Sequence, residues 1–244
     1  MALVAVALSA VAGYVDALGW MLFSHVYVAN MTGNTVALGR SLADRDLLDA
    51  LARVWPIVAF TFGLFVSELV YEIVRRRGRP SSVAWTLGFE LACLVAVVLL
   101  PWPHASTKSG AAYYLPTGLL ALAMGLQNAT LVRVGASSVY TTHLTGNLTR
   151  LAREAAHMLL WLTAPPSART PSRLRDQRSA QRVLLMSAMW TLYASGAVLG
   201  SLAADDWNRL GALPAVLALA VLIAVDLVHP IGGHETPAEP HPMF

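Results

Sequence analysis

Six apolar runs divide this chain, at roughly 2–23, 52–74, 82–101, 112–132, 183–204 and 211–228. Each approaches the ~20 residues a helix needs to cross the hydrocarbon core of a bilayer. Two further stretches, 32–50 and 144–163, are helical in composition but carry charge. Arg40, Asp44, Arg45 and Asp46 fall in the first, and Arg150, Arg153, Glu154 and His157 in the second. A lipid-facing span with that many ionisable groups is costly. The pattern predicts half-helices or re-entrant segments shielded by the other helices. Two extra full spans packed inside the bundle are the alternative reading.

The pattern occurs twice. Tyr27-Val28-Ala29-Asn30-Met31-Thr32-Gly33-Asn34-Thr35 is echoed by Tyr140-Thr141-Thr142-His143-Leu144-Thr145-Gly146-Asn147-Leu148. Upstream, Gly13-Tyr14-Val15-Asp16-Ala17 is echoed by Gly125-Leu126-Gln127-Asn128-Ala129. A duplicated polar break in an apolar chain is the signature of a transporter or channel built from two repeats. The expected organisation is membrane repeat 1 over 1–101 and membrane repeat 2 over 112–228. A tail over 229–244, with Pro230, Pro237, Pro240 and Pro242, is expected to be disordered.

Composition turns the apolar runs into membrane spans. Hydrophobic residues make up 56% of the 244 and charged residues 13%, against about a quarter charged in a soluble domain. Too little charge remains to cover the apolar surface, so lipid must. Residues 2–23 read as the first span rather than a signal peptide, because no Lys or Arg precedes the run and Gly13, Tyr14 and Asp16 interrupt it. Cys93 is the sole cysteine, so no disulfide framework is expected.

Loop charge sets the orientation. Arg75, Arg76, Arg77 and Arg79 form one basic loop, and an Arg-rich insertion over 164–182 forms another, expected to be flexible. Placing both in the cytoplasm puts the N- and C-termini there too. Each repeat then has three crossings plus one broken helix with a short extended stretch. An odd number of crossings inverts the second repeat relative to the first. The expected fold is therefore an all-α, multi-pass protein of the bacterial cytoplasmic (inner) membrane.

Thr32 and Thr145 read as helix N-caps, each after β-branched residues that favour extended backbone. Gly33 and Gly146 allow close backbone approach, and Asn34 and Asn147 add amides that donate and accept. Two such helix N-termini, opposed near mid-membrane, would favour an anion or a polar oxygen. The plainer reading is that these turns satisfy only their own backbone. Asp16 is an intramembrane carboxylate, a candidate for proton coupling; its counterpart Asn128 cannot ionise and is a candidate substrate ligand. Alternatively Asp16 simply hydrogen-bonds a neighbouring helix. Glu68 and Glu90 also lie inside spans. Ser9, Gly13 and Ala17, like Ala121, Gly125 and Ala129, have the spacing that draws helices together, as do Gly196 and Gly200. The first helices are expected to pack on each other or on the half-helices.

Taken together, the Gly-Tyr-Val-Asp-Ala, Met-Thr-Gly-Asn-Thr, Gly-Leu-Gln-Asn-Ala and Thr-Gly-Asn-Leu-Thr phrases resemble the YoaK-like family of bacterial inner-membrane proteins. The resemblance covers most of 8–228, and Gly13, Asp16, Thr32, Gly33, Asn34, Gly125, Asn128, Thr145, Gly146 and Asn147 fit its pattern. That family has no established activity, so the resemblance implies a membrane fold and carries over no catalytic residue.

The functional expectation is a small secondary transporter or facilitator for a small polar or anionic solute. A passive channel is an alternative, as is a membrane scaffold docking a partner through 164–182. No nucleophile–base pair, Walker-type loop or metal-ligand spacing occurs in the sequence, so no enzyme activity, cofactor or metal is expected. The expected partners are the lipid bilayer, the solute and a second copy of the chain, with no nucleic acid.

Overall fold

A computed structural model describes residues 2–77, 83–100, 108, 110–133, 144–163 and 173–228. All regular structure among them is helical: α1 (Ala2–Leu22), α2 (Met31–Ala43), α3 (Leu47–Arg76), α4 (Val83–Leu99), α5 (Ala111–Arg133), α6 (Leu144–Thr163), α7 (Arg173–Trp207) and α8 (Leu213–Val228). A 3-10 turn, Asn208–Ala212, joins α7 to α8. Leu3–Leu22, Leu47–Arg76 and Ala180–Val228 are long and apolar enough to cross a membrane, and Val83–Leu99 is a shorter apolar helix.

α3 shows why lipid is the solvent. Its buried face holds Ala52, Pro56, Ala59, Gly63 and Ser67, while Leu51, Val58, Phe62, Phe65 and Leu69 point outward. Small residues inside and large apolar ones outside invert the rule for water-soluble proteins and follow the rule for membrane bundles. Pro56 in α3 and Pro116 in α5 sit inside helices, which packed membrane helices tolerate.

Two tight parallel pairs form the frame. α1 packs most extensively on α7, and α3 on α5. A Cβ added at Gly13 would strike the Tyr193 carbonyl, and one at Gly196 the Ala10 carbonyl. In the other pair, a Cβ at Gly125 would strike the Phe60 carbonyl, and one at Gly63 the Leu122 carbonyl. These are backbone contacts that no side-chain rotation relieves. The small-residue faces of the first helices therefore serve pairs different from those expected: Gly13 faces α7 and Gly125 faces α3.

α1 and α5 run antiparallel. Phe23 meets the Tyr113 ring at 6.2 Å at one end, and Gln127 Nε2 donates to the Leu8 carbonyl at 2.5 Å towards the other. α4 lies antiparallel to α5, with Thr130 donating to Thr86 at 2.8 Å near the C-terminal end of α5. After the 3-10 turn, where Arg209 reaches the Leu100 carbonyl at 3.4 Å, α8 turns back along α4.

Three expected segments come out differently. The 32–50 stretch is divided: α2 covers 13 residues, about 20 Å at 1.5 Å per residue and short of a ~30 Å core. Arg45 turns the chain with φ +59°, and Asp46 caps α3 by accepting from Asp49 N at 3.0 Å. That length removes the full-span alternative for this segment. In the Arg-rich 164–182 stretch, residues 173–182 are not a loop but the opening turns of α7; 164–172 lie outside the described residues, as does the 229–244 tail. α6 covers all of 144–163 as one helix of 20 residues, about 30 Å at 1.5 Å per residue and too long for the expected half-helix; it packs on α7, with Arg182 paired to Glu154 at 3.5 Å.

Candidate functional site

The chain leaves α1 through two residues in the left-handed region, Ser24 (φ 50°) and His25 (φ 61°). Neither is glycine, so this turn is held against a steric cost. Beyond it, residues 26–30 are non-helical and deeply placed, with Val26 and Val28 fully buried. Buried backbone N–H groups outside a helix need acceptors. Asp16 supplies them: its Oδ1 accepts from Val28 N at 2.8 Å and Ala29 N at 2.7 Å. Its Oδ2 accepts from the Tyr193 hydroxyl of α7 at 2.9 Å. One carboxylate thus ties α1, the broken segment and α7 together.

Asn34 holds the same segment from the other side. Its Nδ2 donates to the Tyr27 carbonyl at 2.7 Å and its Oδ1 accepts from Tyr27 N at 3.1 Å. The side chain is fully buried. Gly33 lies under the Tyr27 ring, where a Cβ would come within 2.8 Å of Cε2. Tyr27 in turn packs on Trp20, ring centroids 4.5 Å apart.

The N-cap of α2 is Asn30, not Thr32. Its side chain accepts from Gly33 N at 3.1 Å, and the helix starts at Met31. The amide side chain of Asn30 is positioned to fill the cap one residue before the helix, which moves Thr32 into the first turn. Thr32 is exposed there, the outward-facing polar side chain of the Thr-Gly-Asn phrase.

In the second copy, Thr145, Gly146 and Asn147 open α6, and Gly146 is exposed. The side chains of Thr145 and Asn147, and the break over 134–143, lie outside the described residues. Asn128, the counterpart of Asp16, is buried on α5. α2 and α6 share no packing contact, so the first turns of these two helices do not meet in this arrangement.

Two polar features were not legible in the motifs. At the end of the bundle where α1 finishes, Asp49 gathers Ser41, Lys108 and Arg53, and Arg53 Nη1 donates to the His25 carbonyl at 2.5 Å. This network joins α2, α3 and the chain beyond α4. Deeper, Glu90 is fully buried on α4, and neither of its oxygens has a hydrogen-bond partner; nor does Gln127 Oε1. Tyr193, the partner of Asp16, was likewise invisible at a separation of 177 residues; its only sequence signal is its place one turn before Gly196.

Residues 4–225 match a family model described as "Protein of unknown function (DUF1275)". The chain is also similar to the UPF0700 transmembrane protein YoaK of Bacillus subtilis (strain 168), 25% identical over 217 residues, covering 88% of this chain and 90% of that one. No solved structure matches it significantly.

Proposed function

The chain belongs to the DUF1275 family of multi-pass transmembrane proteins, and from that premise we propose that it is a small secondary transporter or facilitator for a small polar or anionic solute. It is built, on this reading, from two inverted repeats, α1–α4 and α5–α8, in the bacterial cytoplasmic membrane. The observation that carries the reading is the pairing of the two glycine crossings. Gly125 stands 112 residues after Gly13, and Leu122 stands 112 after Ala10; Gly196 stands 133 after Gly63, and Tyr193 stands 133 after Phe60. The contacts of the α1/α7 crossing therefore recur, position for position, in the α3/α5 crossing. The antiparallel course of α1 and α5 supports the inversion.

Such bundles move by rocking one repeat against the other around a site at broken helices. In repeat 1 the solute site centres on the first turn of α2, with Thr32 as the outward ligand and Gly33 seating the Tyr27 ring beside it. Asn34 and Asp16 hold the backbone in place. Thr145, Gly146 and Asn147, with Asn128 on α5, are the corresponding residues of repeat 2. The basic ends of α3 and α7 (Arg75, Arg76, Arg173, Arg175) lie on the cytoplasmic side, with both termini.

The test is a thermal-shift screen of purified protein against small anions, carboxylates, amino acids, nucleobases and sugars. Thr32→Val and Thr145→Val run alongside, because valine keeps the shape and removes the hydroxyl. A solute that stabilises the wild type, and does so less in both variants, is the expected result, through the linkage of binding to stability. Solute flux through proteoliposomes that never saturates would replace the transporter by a channel. No stabilisation and no flux with any compound would overturn the reading.

A further inference from the structure

We infer that Glu90 is an exchangeable proton site inside the bundle, paired with the free amide oxygen of Gln127; this rests on the transporter reading and moves proton coupling away from Asp16. The two acids contrast in their surroundings. Asp16 accepts three hydrogen bonds, two of them from backbone that has no other acceptor. It is a fastener, and freeing it would release the broken segment. Glu90 is buried to 0% exposure and neither oxygen meets a donor.

Position makes this meaningful. The buried stripe of α4 reads Val83, Thr86, Leu87, Glu90, Leu94, Val97. Glu90 lies near its middle, about 10 Å from the start of the helix at 1.5 Å per residue, far from either end. Thr86 accepts from Thr130 across the antiparallel α4/α5 contact at 2.8 Å. Moving one turn along α4 reaches Glu90; moving back almost one turn along α5 reaches Gln127. The register brings both to one level on facing helices. Gln127 spends its amide nitrogen on the Leu8 carbonyl and keeps an unpaired acceptor.

Glu90 and Gln127 together present three buried acceptor oxygens without a donor. A bare carboxylate there has nothing to offset its desolvation. A proton on Glu90 supplies a donor to the Gln127 oxygen, and its release to water leaves the carboxylate that a transport cycle must reload. The ionisable groups on elements packed against α4 are Tyr113, Tyr114 and Arg133 on α5, Asp226 on α8, Asp49, Arg53, Glu68, Tyr71, Glu72, Arg75 and Arg76 on α3, and Arg209 on the 3-10 turn. Cys93 lies one turn along α4 itself. None of them hydrogen-bonds Glu90.

Dicyclohexylcarbodiimide, an apolar reagent that adds to protonated carboxyl groups and leaves a stable N-acylurea, tests this on the full-length wild type in liposomes. Peptide mass mapping should find the adduct on Glu90 at mildly acid pH, declining as pH rises, with Asp16 unlabelled. Glu90→Gln should lose the adduct and the pH dependence of uptake while retaining the wild-type elution profile and helicity. Labelling at Asp16 or Asp226 in place of Glu90, no adduct at Glu90, or labelling at Glu90 that ignores pH overturns the proposal. A labelled Glu90 in a protein that moves no solute sinks the transporter reading instead; saturable uptake indifferent to Glu90→Gln, with Glu90 unlabelled, sinks only the proton site.

Discussion

Asp16 is the residue on which the first break depends. Removing its side chain leaves the Val28 and Ala29 amides without acceptors in the interior and the Tyr193 hydroxyl without a partner. Each unsatisfied buried group costs ~1–3 kcal/mol, so Asp16→Ala should lose roughly 3–5 kcal/mol of stability. Asp16→Asn keeps one carbonyl oxygen for the two amides and should lose only about 1–2 kcal/mol. Tyr193→Phe should cost about as much as the Asn variant, since it removes a single bond to the same carboxyl group. Denaturation in mixed micelles measures all three, and a mild Ala variant would mean the segment finds other acceptors. The position of Asp16 was readable as an acid within an apolar run. Its role was not, because nothing in a linear pattern tells which backbone amides will be stranded opposite it. The same holds for Asn34: its amide suits a ligand in the sequence, and in the fold both of its ends are spent on Tyr27.

At the scale of elements, the glycine crossings set the packing distance. Gly13→Ala and Gly125→Ala each place a methyl group against a backbone carbonyl, and overpacking of this kind costs ~1–3 kcal/mol or more. The expected outcome is a similar loss of thermal stability in both, with Gly39→Ala, in open space inside α2, losing none and gaining up to ~1 kcal/mol as the control. A large loss in one glycine variant and none in the other would contradict equivalent crossings. Most helices were legible because apolar runs of spanning length leave little choice. The boundaries that slipped have local causes. Asp46 offers a cap within a stretch that looks uniformly helical, and so splits 32–50. Residues 173–182 are rich in Arg, Leu, Gln and Ala, good helix formers, and the prolines at 165, 166 and 171 all precede them, so helix persists where charge alone suggested a loop. Which helices would pair was not legible at all, since Gly13 and Gly125 carry the same small-residue spacing whichever neighbour they meet.

For the whole molecule, the basic ends of α3 and α7 belong on one side and the Asp49 network on the other. In a Cys93→Ala background, Arg77→Cys should react with a membrane-impermeant maleimide only in inverted vesicles, and Asp206→Cys only in spheroplasts. Both residues are exposed. Labelling of both from the same face would contradict the packed arrangement of α3, α4 and α7, and exchange of the two results would reverse the orientation while keeping the fold.

The parallel union of α1 with α7 also has a consequence for biogenesis. Asp16 and Tyr193 are 177 residues apart, and a ribosome adding about 5–20 residues per second needs roughly 10–35 s to produce the second after the first. Throughout that interval α1 sits in the bilayer with its glycine face uncovered and its carboxylate lacking one partner. The nascent protein is thus exposed early and completed late, and its yield should respond to elongation rate and to insertase capacity more than that of a bundle whose neighbouring helices zip up in order of synthesis.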